Sequence, residues 1–291
     1  MLPAAPALPG QSLQSVRHDK LSAQLESVAQ QLNGVAGYAI QDLTTGERFD
    51  LNADLVFPTA SSIKLAILLE LMRQAQQGTL SLGEKHTVRR SEMVGGGDPI
   101  LYMLGDGTVT MTLRDLAVFM VVLSDNSATN ILIDRVGMDN VNAGVARLGL
   151  TETHLRRHMI DLEAARHGNE NVSTPREMTA LIAKIHAGQA LNPDYTRQYI
   201  DLLALPKDSL FHHALPSTAR IEDKPGALEA VRCDTGIIEI PGHPLAITVM
   251  TTYLAAEEDG ERAVETIARL AYDYFDRLAS SSPYGRVISE K

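Results

Sequence analysis

Phe57-Pro58-Thr59-Ala60-Ser61-Ser62-Ile63-Lys64-Leu65-Ala66-Ile67-Leu68-Leu69 is the stretch from which the fold is read. A proline-broken segment gives way at Ser61 to a helical pattern that continues to Gln77 and is closed by Gly78. At a helix start, positions i and i+3 share a face, so the Lys64 amine can reach the Ser61 hydroxyl. A serine is a poor nucleophile until a base takes its proton, and a lysine does so only when burial or nearby cations lower its pKa. The pair alone is a weak signal, because serines at helix starts also serve as caps.

Upstream, Leu13, Val16, Leu21, Leu25, Val28 and Leu32 predict an amphipathic helix within Ser12 to Asn33. Val35 to Leu43 and Arg48 to Leu51 read as a hairpin turning at Thr44-Thr45-Gly46-Glu47. Downstream, Leu113 to Leu123, Ala128 to Arg135, Val141 to Leu148 and Arg176 to Ile185 are helical in period. After Leu205-Pro206 the texture returns to strands, Gly236 to Ile240 and Leu245 to Tyr253, punctuated by Pro241-Gly242-His243-Pro244. A last helix is predicted from Glu257 to Leu278. The order implies an α+β (mixed α/β) fold, an antiparallel sheet covered by the two terminal helices. The expected division is a disordered tail 1–11, an α/β subdomain from 12–60 and 205–291, and an all-helical subdomain from 61–204, with the active site in the cleft between.

The composition, 44% hydrophobic and 21% charged over 291 residues, is that of a globular protein with a substantial core. A formal charge of -10 offers no basic footprint for nucleic acid or an anionic membrane. No apolar run is long enough to span a bilayer. Cys233 is the only cysteine, which excludes an internal disulfide and any cysteine-based zinc cluster. The histidines, His212-His213 included, lack metal-ligand spacing, so no metal is expected. Gly95-Gly96-Gly97-Asp98 lacks a phosphate-binding context and reads as a mobile loop at a cleft mouth.

Two further motifs sharpen the reading. Ser124-Asp125-Asn126 falls between two helical segments, where Ser124 can pass a proton to a leaving nitrogen and Asn126 can hold a substrate amide and Lys64. A capping turn is the plainer alternative. Lys224-Pro225-Gly226 lies before the strand at Gly236, near a sheet edge, where a cation attracts a substrate carboxylate and depresses neighbouring pKa values.

S-x-x-K, S-D-N and K-x-G in this order resemble the class A β-lactamase branch of the penicillin-recognising serine hydrolases. Thr110-Met111-Thr112-Leu113-Arg114-Asp115-Leu116 before S-D-N and Asn130-Ile131-Leu132 after it extend the likeness, from Gly34 to Tyr274. The resemblance implies a β-lactamase/transpeptidase-like fold and a Ser61 acylated by a β-lactam carbonyl. It also implies an oxyanion hole from the Ser61 N–H and a residue near Leu228, a small-molecule substrate, no cofactor, and export to the periplasm or beyond. The first thirty residues show no secretory signal, so a cytoplasmic protein or a mature form is expected on that ground. A monomer is expected.

Two departures stand out. In Arg157-His158-Met159-Ile160-Asp161-Leu162-Glu163, ahead of Thr174-Pro175-Arg176-Glu177-Met178, Met159 takes the place of the family's Ω-loop glutamate. A thioether cannot accept a proton from water, which leaves Glu163 as the expected deacylation base and Asp161 as a weaker candidate. Pro225 cannot donate the hydrogen bond that helps anchor a substrate carboxylate; Arg232 is the expected compensating donor, unless Asp234 engages it in an ion pair. Alternatives on the same scaffold are an esterase or D-amino-acid peptidase, or a binding protein that stays acylated.

Overall fold

The computed structural model describes residues 12–96, 99–104, 108–282 and 284–287. The tail 1–11 and Gly97-Asp98 of the glycine-rich loop lie outside them. The chain opens with α1 (Leu13–Gln31), β1 (Val35–Asp42), β2 (Arg48–Leu51) and β3 (Phe57–Pro58). A single 3₁₀ turn, Ala60–Ile63, then leads into α2 (Lys64–Gln76). Next come β4 (Lys85–Val88), α3 (Ile100–Met103), β5 (Val109–Thr112), α4 (Leu113–Val122), α5 (Asn126–Val136) and α6 (Met138–Arg147). These are followed by α7 (Leu162–Arg166), β6 (Val172–Ser173), α8 (Pro175–His186), α9 (Pro193–Leu203) and α10 (Leu210–Ala214). The chain closes with β7 (Arg220–Leu228), β8 (Val231–Glu239), β9 (Leu245–Thr252) and α11 (Glu257–Ala279).

The main sheet is antiparallel throughout, in the order β2-β1-β9-β8-β7. Strand alternation sends Leu245, Ile247 and Val249 of β9 to one face, where Leu21 and Leu25 of α1 and Val264, Ile267, Ala271 and Phe275 of α11 cover them. Ala246 and Met250 of the same strand face the opposite way, into a second core built from α2, α4, α5, α6, α8 and α9. The predicted α+β architecture is therefore present. Residues 61–204 are mostly helical but also hold the β4-β5 pair and β6, which pairs with β3. Strands of two to four residues leave no periodic trace in a sequence, which is why the segment reads as wholly helical.

Caps explain several helix starts. Thr112 accepts from the Asp115 N–H and Asp115 returns the bond to the Thr112 N–H. Thr174 caps α8 with Pro175 in its first turn. Among the described residues no helix is long and apolar enough to cross a membrane.

Candidate active site

The short β3 strand aims the chain at the sheet edge, and the non-glycine residue Ala60 is held at a left-handed φ of 45° directly before Ser61. The turn carrying Ser61 is tied down on both sides. Thr59 N–H donates to the Asn171 carbonyl at 2.9 Å, and the Ser62 hydroxyl donates to the Lys224 carbonyl at 2.9 Å. Gly226 is an obligatory glycine here: a Cβ on it would stand 2.9 Å from the Ser61 nitrogen, 2.9 Å from the Thr59 carbonyl oxygen and 2.7 Å from Cys233 Sγ. Cys233 is buried beneath this turn, and burial first of all pushes its thiol up to about 12, so it is a packing residue.

Lys64 begins α2 and is buried. Its Nζ donates to the Ser124 carbonyl (2.7 Å), to Ser124 Oγ (2.9 Å) and to Asn126 Oδ1 (3.3 Å). The direct Ser61 to Lys64 hydrogen bond expected from their spacing is replaced by a relay, since Ser124 Oγ and Ser61 Oγ hydrogen bond at 2.9 Å. Ser124 also holds a left-handed φ of 53°. That strained corner between α4 and α5 turns both its carbonyl and its hydroxyl to the lysine. Asp125 caps α5 by accepting from Ala128 N–H and anchors α3 through Leu101 N–H. Asn126 bridges Lys64 to the Gly96 carbonyl, which its Nδ2 meets at 2.9 Å.

A second buried amine, Lys224 Nζ, donates to Ser124 Oγ at 3.1 Å and to the Pro225 carbonyl at 3.0 Å. Burial first, and then the Lys224 cation, pull Lys64 well below the usual lysine range, with Asp125 pulling the other way. Burial lowers Lys224 to about 8, against the upward pull of Asp234 and Asp223. Lys64 is thus moved toward its uncharged form beside a Lys224 that keeps most of its charge at neutral pH.

The edge strand β7 supplies the opposite wall. Arg232 N–H donates to Thr251 Oγ1, which in turn donates to the Arg232 carbonyl, so both backbone groups of Arg232 point toward β9. Its register partner on β7, Ala227, therefore has no ladder bond there, and its N–H and carbonyl face the cleft. Ala227 follows Gly226, which lies against the Ser61 nitrogen, and so falls within the stretch near Leu228 where the second donor is expected. Leu228 instead pairs with Val231 across the turn at Glu229-Ala230. The same alternation places Pro225 where no ladder N–H is needed, so the proline leaves the sheet intact.

The cleft has a volume of about 470 Å³ and is lined by Ser61, Ser124, Asn126, Lys224, Gly226 and Arg232 among others. Three predicted residues are not placed for the part expected of them. Glu163 sits exposed in the first turn of α7 and is not part of the lining. Asp161 caps that helix through Ala164 N–H and is exposed too. Met159 is in the wall, 7% exposed, its backbone clamped on both sides by the Asn130 amide at 2.7 and 3.1 Å. Arg232 lines the cleft but points its donors elsewhere: Nε to Glu261 at 2.8 Å, Nη1 to the Leu228 and Val231 carbonyls, and Nη2 to Glu257. The predicted partner Asp234 is buried further along the same face of β8, accepting from Phe211 N–H instead. Asn171, which sequence reading passed over, receives the Arg156 and Arg157 N–H groups and so couples this loop to the turn before Ser61. Only its place ahead of Thr174-Pro175 hinted at it. Among the described residues no group of three or more His, Cys, Asp and Glu could hold a metal ion.

The chain and its fold are matched in known proteins. The family profile described as "Beta-lactamase enzyme family" covers residues 20–275. Beta-lactamase PSE-4 of Pseudomonas aeruginosa is 23% identical over 92% of this chain and 93% of its own length. A β-lactamase from Sphaerobacter thermophilus superposes with a TM-score of 0.80 at 29% identity, over 87% of this chain and 96% of that one. A PBP-A mutant solved as an acyl-enzyme complex with penicillin G gives a TM-score of 0.80 at 25% identity, over 92% and 99%. With the profile spanning most of the chain, this protein belongs to the β-lactamase enzyme family.

Proposed function

We propose that this protein is a serine hydrolase that opens β-lactam amides through an acyl-enzyme on Ser61. The observation that carries the reading is the relay from Ser61 Oγ through Ser124 Oγ to two buried amines, each link between 2.9 and 3.1 Å. Neutral Lys64 is the base. As Ser61 Oγ bonds to the carbonyl carbon, its proton moves to Ser124 Oγ and the Ser124 proton moves to Lys64 Nζ. The developing oxyanion lies between the N–H groups of Ser61 and Ala227, where such donors are commonly worth about a hundredfold or more in rate. When the C–N bond breaks, Ser124 returns a proton to the leaving nitrogen and is refilled from Lys64. Charged Lys224 orients Ser124, and Asn126 holds Lys64.

Deacylation is the slow half. Met159 occupies the wall where an Ω-loop carboxylate would activate water, so the acyl-enzyme persists unless Lys64 and Ser124 serve again as base. The molecule works as a monomer of two subdomains, 12–60 with 205–291 and 61–204, and the cleft lies between them. Time-resolved mass spectrometry with a penicillin, and absorbance with nitrocefin, test the reading. A transient adduct on Ser61 with turnover is the expected result, and an unlabelled Ser61 would sink it.

A further inference from the structure

On the leaving-group side of the cleft Lys224 is the remaining means of holding an anion. Lys224 Nζ has three N–H donors, and two are given to Ser124 Oγ and the Pro225 carbonyl. Pro225 offers no side-chain or backbone donor. Arg232, the one guanidinium in the lining beside Lys224 and Pro225, is locked by Glu261, Glu257 and two backbone carbonyls. One cation against two carboxylates makes the Arg232 cluster itself net negative, and Glu261 faces the cleft, with Lys224 as the opposing positive charge. Asp208, also at this end, meets His213 at 2.7 Å.

Resting on the acyl-enzyme reading above, we propose that the cleft selects acyl donors whose leaving-group half is neutral or cationic, and that Glu257 and Glu261 are the positioning residues that impose this by sequestering Arg232. An anionic substituent next to the scissile nitrogen finds a single N–H of Lys224 and a carboxylate facing it. A neutral one meets no repulsion and, where it carries a carbonyl, can still accept that N–H. An amine there gains an attractive partner in Glu261. Like-charge opposition of this kind commonly discriminates by about tenfold or more.

The test compares second-order rates of Ser61 acylation by benzylpenicillin and by its methyl ester, which differ only in that carboxylate, with the adduct located by peptide mapping. The ester is expected to react at least as fast as the free acid. The double variant Glu257→Gln with Glu261→Gln, isosteric at both sites, removes both negative charges that hold the guanidinium and is expected to shift the ratio about tenfold toward the free acid. Pro225→Thr restores a hydroxyl donor by an independent route and is expected to shift it the same way. A wild-type preference for the free acid of about tenfold or more would overturn the inference while leaving Ser61 as nucleophile. A ratio unmoved in both variants would equally remove Glu257 and Glu261 from the role. A Ser61 labelled by neither probe would bring down the parent reading and this inference together.

Discussion

Gly226 shows how narrowly single residues are specified in this cleft. Any side chain there must displace the backbone of the nucleophile turn, at 2.9 Å from both the Ser61 nitrogen and the Thr59 oxygen. Gly226→Ala is therefore expected to lower the Ser61 acylation rate about a hundredfold, the scale of a lost oxyanion donor, as measured by intact mass against time. Overpacking should also cost about 1–3 kcal/mol in a denaturant titration. Lys64 and Lys224 set the pH response. The base must be uncharged, so the rate rises as pH climbs through the Lys64 pKa, which burial and Lys224 hold well below the ordinary lysine value. The cation must stay charged, so the rate falls as pH passes the Lys224 value of about 8. A bell-shaped profile of kcat/KM with its alkaline limb near that value is expected, and a rate still climbing through it would refute the assignment. The residue types were readable from three motifs. The relay was not, because it depends on a left-handed Ser124 that no spacing rule reveals.

Elements decide which way these groups point. The β7-β8 register turns Ala227 outward and tolerates Pro225, a fact set by strand pairing and invisible to a reading that saw the second strand only from Gly236. The loop between α6 and α8 is the other case. Its motif could be aligned residue by residue, yet the short helix α7 swings Glu163 to the surface while Asn130 holds Met159 in the wall. Glu163→Gln is expected to leave the decay of a preformed penicilloyl-enzyme unchanged in mass spectrometry. Met159→Glu, which puts a proton acceptor in the cleft, is expected to speed that decay by about tenfold or more. Equal decay in the parent and the Met159→Glu protein would show that this wall is not where water reacts.

Over the whole molecule the sheet separates two cores, and only one of them reaches the chemistry. Phe275 is fully buried in the other, in edge-on contact with Phe49 and Tyr274. Phe275→Ala is expected to cost about 3–5 kcal/mol of stability. Acylation by the remaining folded fraction should be unchanged, since the aromatic cluster lies across the sheet from Ser61; a matching loss in the rate constant would contradict that separation. This layering was legible from the alternation of Leu245 to Tyr253 and the stripe of α11, where a long period leaves a strong signal. The start of α1 lies against the end of α11, with the Arg17 guanidinium donating to the Tyr274 carbonyl and stacking 4.8 Å over its ring. A peptide bridge between these helices would have little distance to cross. A gene rearranged to begin at the exposed Thr44-Thr45-Gly46 bend should thus still yield an acylating enzyme.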